Sequence, residues 1–460
     1  MAFNDKNDDK TNSPTPMNIA IVGAGIAGLS ASIALRRAGH TVTIYEKSQF
    51  KNEIGAAITL TPNANRILRA WGFDFEKAQP SDFEQFRMLD METLEVTARE
   101  DLRGVREESG DRMCAFHRVD LHSGLREMAE EAGARIELGK EVVAIDAEGG
   151  VVEIGSGERV ESDLVVMADG SHTKFLPQIT NRSIPNVKIG KSVYRWLAPI
   201  TEVVQHADAK KLFSDAGGSG FVIFEDGKGM MVVTYPCRAG TLLNCAVFHV
   251  TREEERERDD WNCDTTRERV LESLQGRPAI LQQLLTTSSI PKVYTVTQRA
   301  PSPNLYNGRA VCIGDTTHHM LPTHAQGASQ AIEDAAALEI LFSTSVFTHS
   351  AANLQKRLQT FQELRLPRSA TTQILSSTSP QLTMEGQKGK RAEVRSFYPE
   401  EFGELVDWPA GVGMWSKALR EWWYGYDVQL EARKAVRAEG EGKSLREGGV
   451  RWFGELSGGR

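Results

Sequence analysis

Hydrophobic and polar positions along this chain follow two periods, and the places where the period changes outline its organisation. Met17 to Gly23 is an uninterrupted apolar run, Gly28 to Gly39 has helical spacing and stops at Gly39-His40, and Thr41 to Glu46 alternates again. This is a strand–helix–strand unit with a glycine-rich turn at its first junction. Arg118 to Ala132 places Leu121, Leu125, Met128, Ala129 and Ala132 on one helical face and stops at Gly133. Arg135 to Leu138, Glu141 to Ile145 and Val151 to Ile154 read as short strands. Leu164 to Ala168 reads as a buried strand closed by Asp169-Gly170. From Ser192 to Val250 the texture is β-like: 192–200, 220–224, 230–235 and 242–250, with hairpin signals at Asp226-Gly227 and Arg238-Ala-Gly240. These predict an antiparallel sheet inserted between parts of the first domain. Ala310 to Ile313 is another buried strand, ending in Gly314-Asp315. A loop interrupted by Pro and Gly follows, then a helix opening near Gly327-Ala328-Ser329. Beyond Ser369 the pattern turns helical, with Trp415, Leu419, Trp422 and Tyr426 on one stripe expected to pack onto the body. The charged run Thr251 to Asp260 reads as a solvated face, residues 439–460 as a fraying end, and residues 1–16 as a polar tail.

Composition narrows the function classes. The 460 residues carry a net charge of −8, with 40% hydrophobic and 25% charged residues. An acidic, ordinary composition argues against nucleic acid or an anionic membrane as partner. The five cysteines are scattered without a C-x-x-C pair, which suits a reducing compartment and neither a disulfide framework nor a zinc site. No apolar run has membrane-spanning length and no signal-peptide pattern opens the chain, so the expected location is cytoplasmic. Nothing specifies an oligomeric state.

Two segments carry the chemistry. In Gly23-Ala-Gly-Ile-Ala-Gly28, Gly23 permits a tight turn, Gly25 a close approach to a pyrophosphate, and Gly28 close packing of helix on strand. Glu46, at the end of the second strand, suits ribose hydroxyls and repels a 2′-phosphate. That excludes NADP at this turn and leaves NAD and FAD open. Almost three hundred residues later, Gly314-Asp315 offers a carboxylate for a sugar-like diol, and the Gly327-Ala328 helix start offers backbone N–H groups to an electron-accepting ring. One chain carrying both ends of a dinucleotide site points to FAD.

The combination of Gly23-x-Gly-x-x-Gly28, Ala168-Asp169-Gly170 and Gly314-Asp315 resembles the single-component FAD-dependent aromatic monooxygenases, and within them the salicylate-hydroxylase-like branch of fungal secondary metabolism. Gly55 to Ala64, His117 to Leu121, Tyr194-Arg195 and Gln330 to Asp334 also match, so the resemblance spans about Met17 to Leu366. It implies an α/β fold: a Rossmann-like FAD-binding domain (17–82, 113–182 and 300–368) and an inserted antiparallel substrate domain (83–112 and 183–299), to which the helical pattern beyond Ser369 adds a C-terminal helical extension (369–438). It further implies Asp315 on the ribitol, Gly327 and Ala328 facing the flavin, Arg118 reaching the cofactor, Ala57 alongside the ring, and Asp169-Gly170 serving both FAD and a transient nicotinamide. The chain departs from the family where a Ser and an Arg usually follow the acidic-glycine pair: Thr173 and Leu176 stand there, with Lys174 as a substitute cation. His318, His319 and His324 invite a metal reading, but no ligand spacing supports it and flavin chemistry needs none.

For the substrate, Arg195 sits mid-strand between Tyr194 and Trp196, and Tyr235 shares a strand face with Met231 and Val233. A guanidinium and a phenolic hydroxyl beside a ring oxygen favour phenolate over phenol, the form an electrophilic flavin C4a-hydroperoxide hydroxylates more readily. The resemblance assigns an Arg and a Tyr at these places to that task. The expected activity is thus NAD(P)H- and O2-consuming hydroxylation of a small aromatic, salicylate-like or polyketide-like molecule. The alternatives are an FAD-dependent epoxidase of a prenylated metabolite and a non-catalytic FAD-binding protein.

Overall fold

The computed structural model describes residues 16–50, 56–215, 220–258, 263–377, 384–397 and 417–454. Its nucleotide half is a six-stranded sheet. Asn18–Val22 lies between Leu164–Met167 and Thr41–Glu46, Arg135–Leu138 follows on one side and Ala310–Cys312 on the other, all parallel, with the short Tyr306–Asn307 antiparallel at the edge. Leu164-Val-Val-Met and Ala310-Val-Cys are apolar on both faces because helices or a second small sheet cover both sides. The Ile26–Arg37 helix packs on one face between the strands and the Gly327–Leu341 helix.

The second half is an eight-stranded sheet in the order Cys263–Asp264, Lys292–Arg299, Asn186–Pro199, Leu242–Val250, Met231–Cys237, Gly220–Glu225, Gln85–Asp90 and Val96–Asp101. Six of its seven pairings are antiparallel; Gly220–Glu225 runs parallel to Gln85–Asp90. Strand periodicity divides its residues cleanly. Tyr194, Trp196, Val222, Val232, Cys245 and Val247 face an outer core covered by short helices. Val193, Leu197, Phe221, Val233, Tyr235, Ala246 and Tyr294 face the nucleotide half. The turn after Met231–Cys237 fastens the two halves. Arg238 donates to both oxygens of Asp120 at 2.6 and 2.8 Å, Ala239 N–H to the Gln79 carbonyl, and Gly240 N–H to Ser81 Oγ.

Three expectations differ from what is observed. The charged run 251–260 is not wholly solvated: Glu255 is buried and takes the Tyr194 hydroxyl at 2.6 Å and lies 2.9 Å from His249 Nε2. The Ala351–Ser376 helix runs unbroken through the boundary placed at 368/369, with Pro367 inside it. Of the segment expected to fray, residues 439–454 pack instead. Val428–Gly440 is helical, Leu445, Val450, Trp452 and Phe453 are buried, and Phe453 stacks on Trp422 at 3.5 Å between ring centres. Aromatic side chains override a Gly- and Glu-rich local composition here. Of the aromatic stripe, Trp422 and Tyr426 are buried, Tyr426 just past the Lys417–Tyr424 helix, while Trp415 and the Leu419 side chain lie outside the described residues.

Candidate functional site

The three glycines of the first turn have separate roles. Gly23 has φ +97°, and a Cβ there would sit 2.6 Å from the Ala168 carbonyl oxygen; a Cβ on Gly28 would sit 1.9 Å from that of Gly23. Both are dictated by packing of the chain on itself. Gly25, by contrast, meets nothing within 4 Å, so its bareness faces open space at the helix start. That helix has no side-chain cap and no acidic residue in its first turn, leaving its N–H groups and positive end available to an anion. Glu46 is buried. Its two oxygens accept the Ala24 and Ser48 N–H groups at 2.8 and 2.7 Å, fixing the carboxylate beside the turn with lone pairs to spare.

The later segment meets this turn directly. Gly314 has φ +60°, and a Cβ there would lie 2.7 Å from the Ala27 methyl. Asp315 opens a one-turn helix, Asp315–His318, where a loop was expected, and its carboxylate is exposed and takes no side-chain hydrogen bond among the described residues. A Cβ on Gly327 would lie 3.8 Å from Asp315 Oδ1. The Gly327–Leu341 helix, like the first, starts without a side-chain cap or an acidic residue. Ala328 lies in that first turn.

Asp169 and Gly170 end the neighbouring parallel strand and are tied to the Asp315 helix by one hydroxyl. Thr316 Oγ1 donates to Asp169 Oδ1 at 3.2 Å and accepts the Gly170 N–H at 2.9 Å. Burial raises the Asp169 carboxyl above its usual range, against the pull of Thr173, Thr316 and Arg299. Thr173, where the family pattern has a Ser, thus serves Asp169; Leu176 is buried and Lys174 exposed. Ala57 begins the Ala57–Leu60 strand opposite His117, and the Arg118 N–H donates to the Ala56 carbonyl at 2.6 Å, so both sit at one strand-to-helix junction.

Across from this array stands the inner face of the eight-stranded sheet. The Tyr235 hydroxyl lies 3.4 Å from the Ala57 carbonyl, linking the sheet to the residue expected beside the flavin. Its ring stacks on Phe221 at 4.9 Å and meets Phe83 edge-on at 5.8 Å. The Arg195 guanidinium lies 5.6 Å from the Tyr294 ring centre, and its charge acts on both Tyr235 and Tyr294. Arg195, Tyr235 and Tyr294 all keep some accessible surface although they sit between the two halves. The three histidines are each engaged elsewhere: His318 with Asp334, His319 with Thr297, and His324 with the Leu375 carbonyl.

Two uncapped helix starts, open space over Gly25 and Gly170, and an exposed carboxylate at Asp315 fit a long dianionic cofactor with a polyol in its middle. Residues 16–373 match the FAD binding domain family. The chain is 34% identical over 375 residues to the FAD-dependent monooxygenase cfoG of Aspergillus candidus, covering 78% of this chain and 85% of that one. The chain belongs to the FAD-dependent monooxygenases. It is also 26% identical over 436 residues to hispidin-3-hydroxylase of Neonothopanus nambi, covering 91% and 96% of the two chains. A solved salicylate hydroxylase substrate complex shares the fold, with a TM-score of 0.68 at 20% identity over 91% of this chain and 98% of the other. The enzyme therefore uses FAD, with NAD(P)H as the reductant typical of the family. Among the described residues no helix is long and apolar enough to cross a membrane.

Arg299, which lies in none of the matching stretches, and the pair Glu333-Asp334 at the end of one of them frame these loops. Arg299 ends the Lys292–Arg299 strand, buried, and donates to the Asp315, Thr316 and Ser171 carbonyls at 3.4, 2.7 and 2.6 Å. It places a positive charge where both acidic-glycine loops converge. Asp334 accepts the Gly314 N–H at 3.0 Å, lies 2.8 Å from His318 Nε2 and takes Arg365 at 2.8 Å. Glu333 takes Arg365 at 2.8 Å, Arg368 at 2.7 Å and Asn63 at 2.6 Å. The one sequence signal for Tyr294 and Arg299 is the alternation Val293-Tyr-Thr-Val-Thr-Gln-Arg299.

Proposed function

We propose that the enzyme hydroxylates a small phenolic ring held between the flavin and the inner face of the eight-stranded sheet, with Arg195 and Tyr235 as the catalytic pair. The observation carrying this reading is that the strands bring a guanidinium and a tyrosine hydroxyl to one inner face, with the hydroxyl next to Ala57. Glycine turns at Gly23, Gly25, Gly28 and Gly170 and the carboxylates of Glu46, Asp169 and Asp315 would hold the cofactor, with Arg118, Gly327 and Ala328 toward the ring system. Bound FAD, once reduced by NAD(P)H, supplies the activation of O2.

The protein's part is to prepare the ring. Arg195 favours the ionised form of a phenol beside it, making the ring electron-rich. Burial raises the Tyr235 pKa well above its ordinary value, and the opposing charge of Arg195 does not cancel this. Tyr235 thus stays protonated at working pH and donates to the substrate oxygen without giving its proton away. Phe221 and Phe83 wall the position with flat apolar surface, suited to an aromatic ring and to excluding water. The hispidin and salicylate hydroxylases among the similar proteins support an oxygenated aromatic substrate over a prenyl alkene.

The test is NAD(P)H oxidation by the purified enzyme against a panel of phenols, phenolic acids and prenylated arenes under 18O2. Phenol-stimulated turnover with one labelled oxygen in the product supports the reading. Stimulation by alkenes alone, or turnover that never labels a product, overturns it.

A further inference from the structure

On the inner face of the eight-stranded sheet, one buried polar side chain has no work to do in the protein itself. Asn244 is 2% exposed, and its carboxamide oxygen has no hydrogen-bond partner. Directly opposed residues on antiparallel strands project from the same face. Asn244 is opposed by Tyr235 on one side and by Leu197 on the other. It therefore shares the face of Tyr235, with Arg195 as a diagonal neighbour two residues from Leu197. Ala246, the next residue on that face of the same strand, is opposed by Arg195 and Val233 and brings only a methyl group. Arg195, Asn244 and Tyr235 thus lie around Ala246, whose methyl is the smallest side chain on this part of the face. Neighbouring strands lie about 4.8 Å apart, so the three fall within reach of a single aromatic ring.

A buried acceptor without a donor weakens the folded state, and a leucine of similar size would avoid the penalty. The polar contacts on this face are also unequal in kind. Arg195 and the protonated Tyr235 are donors, suited to an ionised oxygen, whereas the Asn244 oxygen needs a neutral hydroxyl. We propose that Asn244 is a specificity-determining residue whose carboxamide oxygen accepts a hydrogen bond from a second hydroxyl of the substrate ring. The preferred substrate is then a polyhydroxylated arene, one oxygen held as the anion by Arg195 and Tyr235 and another kept protonated at Asn244. This rests on the reading of Arg195 and Tyr235 as the substrate-holding pair.

The experiment titrates FAD-loaded enzyme, followed by the flavin absorbance, with 2,4-dihydroxyacetophenone and both of its mono-methyl ethers, extended to a panel of other dihydroxyarenes and their ethers. The parent should bind a diol about ten- to a hundredfold more tightly than at least one matching ether. Asn244→Leu should erase that preference by weakening the diol alone. FAD content should stay complete, and the melting temperature without ligand should be equal or higher, because an unmet buried acceptor is gone. Undiminished preference in Asn244→Leu overturns the proposal, as does a lower melting temperature or FAD loss, which would make Asn244 structural. Binding of no diol in the panel overturns it too. Arg195→Ala separates the two readings: if it weakens diol and ether alike while Asn244→Leu changes neither, only the present proposal falls. If Arg195→Ala changes nothing, the pair assignment falls first.

Discussion

Arg365 Nε donates to Asp334 Oδ1 at 2.8 Å with both side chains out of solvent, while the other oxygen of Asp334 holds the Gly314 N–H at 3.0 Å. The carboxylate that fixes the strand end before Asp315 is thus neutralised from a helix that also carries Arg368. Arg368 reaches the Trp423 and Trp452 carbonyls and lies over the Tyr426 ring at 4.0 Å. The C-terminal residues are thereby connected to the cofactor loop through charge.

Breaking this connection on one side should be costly. Burial pushes the Asp334 carboxyl up, but Arg365, His318 and the Gly314 N–H outweigh it and hold it below its usual value. Asp334→Asn leaves Arg365 partly unmatched in a buried site, a change typically worth about 3–5 kcal/mol. The expected result is a lower denaturation midpoint together with faster FAD release. A variant with the parent's midpoint and FAD content would show that Gly314 is held by other contacts.

Asp315 calls for the opposite outcome in stability. Its carboxylate is exposed and takes no side-chain hydrogen bond among the described residues, acting on Arg299 and His319 only through its charge, so Asp315→Ala should lower the stability of FAD-free protein by no more than about 0.5 kcal/mol. Its FAD dissociation constant should rise about tenfold or more, the usual loss for a charge-assisted hydrogen bond. Flavin fluorescence on dilution measures the constant.

The contrast between these two aspartates separates features that are local in the sequence from features that are not. Asp315 was legible because its signal is local: a buried strand, a glycine with left-handed φ, and a carboxylate at the tip. Gly23, Gly25, Gly28 and Glu46 are readable for the same reason, within one strand–helix–strand unit. Glu333 and Asp334 show in the sequence only as the end of the matching stretch Gln330 to Asp334, since their partners Arg365 and Arg368 arrive only through packing of another helix. Glu255 was hidden likewise in a run of charges until Tyr194 and His249 fold over it. On the substrate side, Arg195 and Tyr235 were visible as polar residues in β-like runs. Tyr294 and Asn244 gain meaning only from the register that sets them on the same face.

Stability should fall in mildly acidic solution, and His324 is one source. Its ring is buried, 4.5 Å from the Trp423 ring centre, and burial, against the Leu375 carbonyl, lowers its pKa from 6.5 to about 4. Above pH 6.5 both folded and unfolded chains carry the neutral ring and nothing is lost. As the pH falls from 6.5 toward 4 the unfolded chain gains a proton that the folded one refuses, and stability drops by up to about 3 kcal/mol. Burial also lowers the pKa of His40, which adds to the same window. Glu255, held at about 2 because hydrogen bonds from His249 and Tyr194 outweigh its burial, contributes only as the pH falls below about 4.5. Denaturation of His324→Gln at a series of pH values should show a shallower slope between pH 6.5 and 4. An unchanged slope would mean that the ring is protonated in the folded enzyme.

The Arg195 and Tyr235 pair should govern the fate of activated oxygen and not the binding of FAD. Neither side chain is assigned to the cofactor, so Arg195→Ala and Tyr235→Phe should retain full FAD content. Each removes one charge-assisted contact to the substrate oxygen, worth about 1.5–3 kcal/mol, and hydroxylation should slow by about ten- to a hundredfold. Reduction by NAD(P)H persists, so the electrons leave as hydrogen peroxide instead of in product. The pH profiles separate the two roles. Arg195→Ala should need a higher pH to ionise the bound phenol and recover part of its rate there. Tyr235→Phe should lose rate at every pH, because the missing group is a donor that does not titrate in the working range. Parallel assays of NAD(P)H consumption, peroxide and product give the coupling ratio. Should both variants hydroxylate at the parent's rate with the parent's coupling, the pair is structural and the phenolate is held elsewhere.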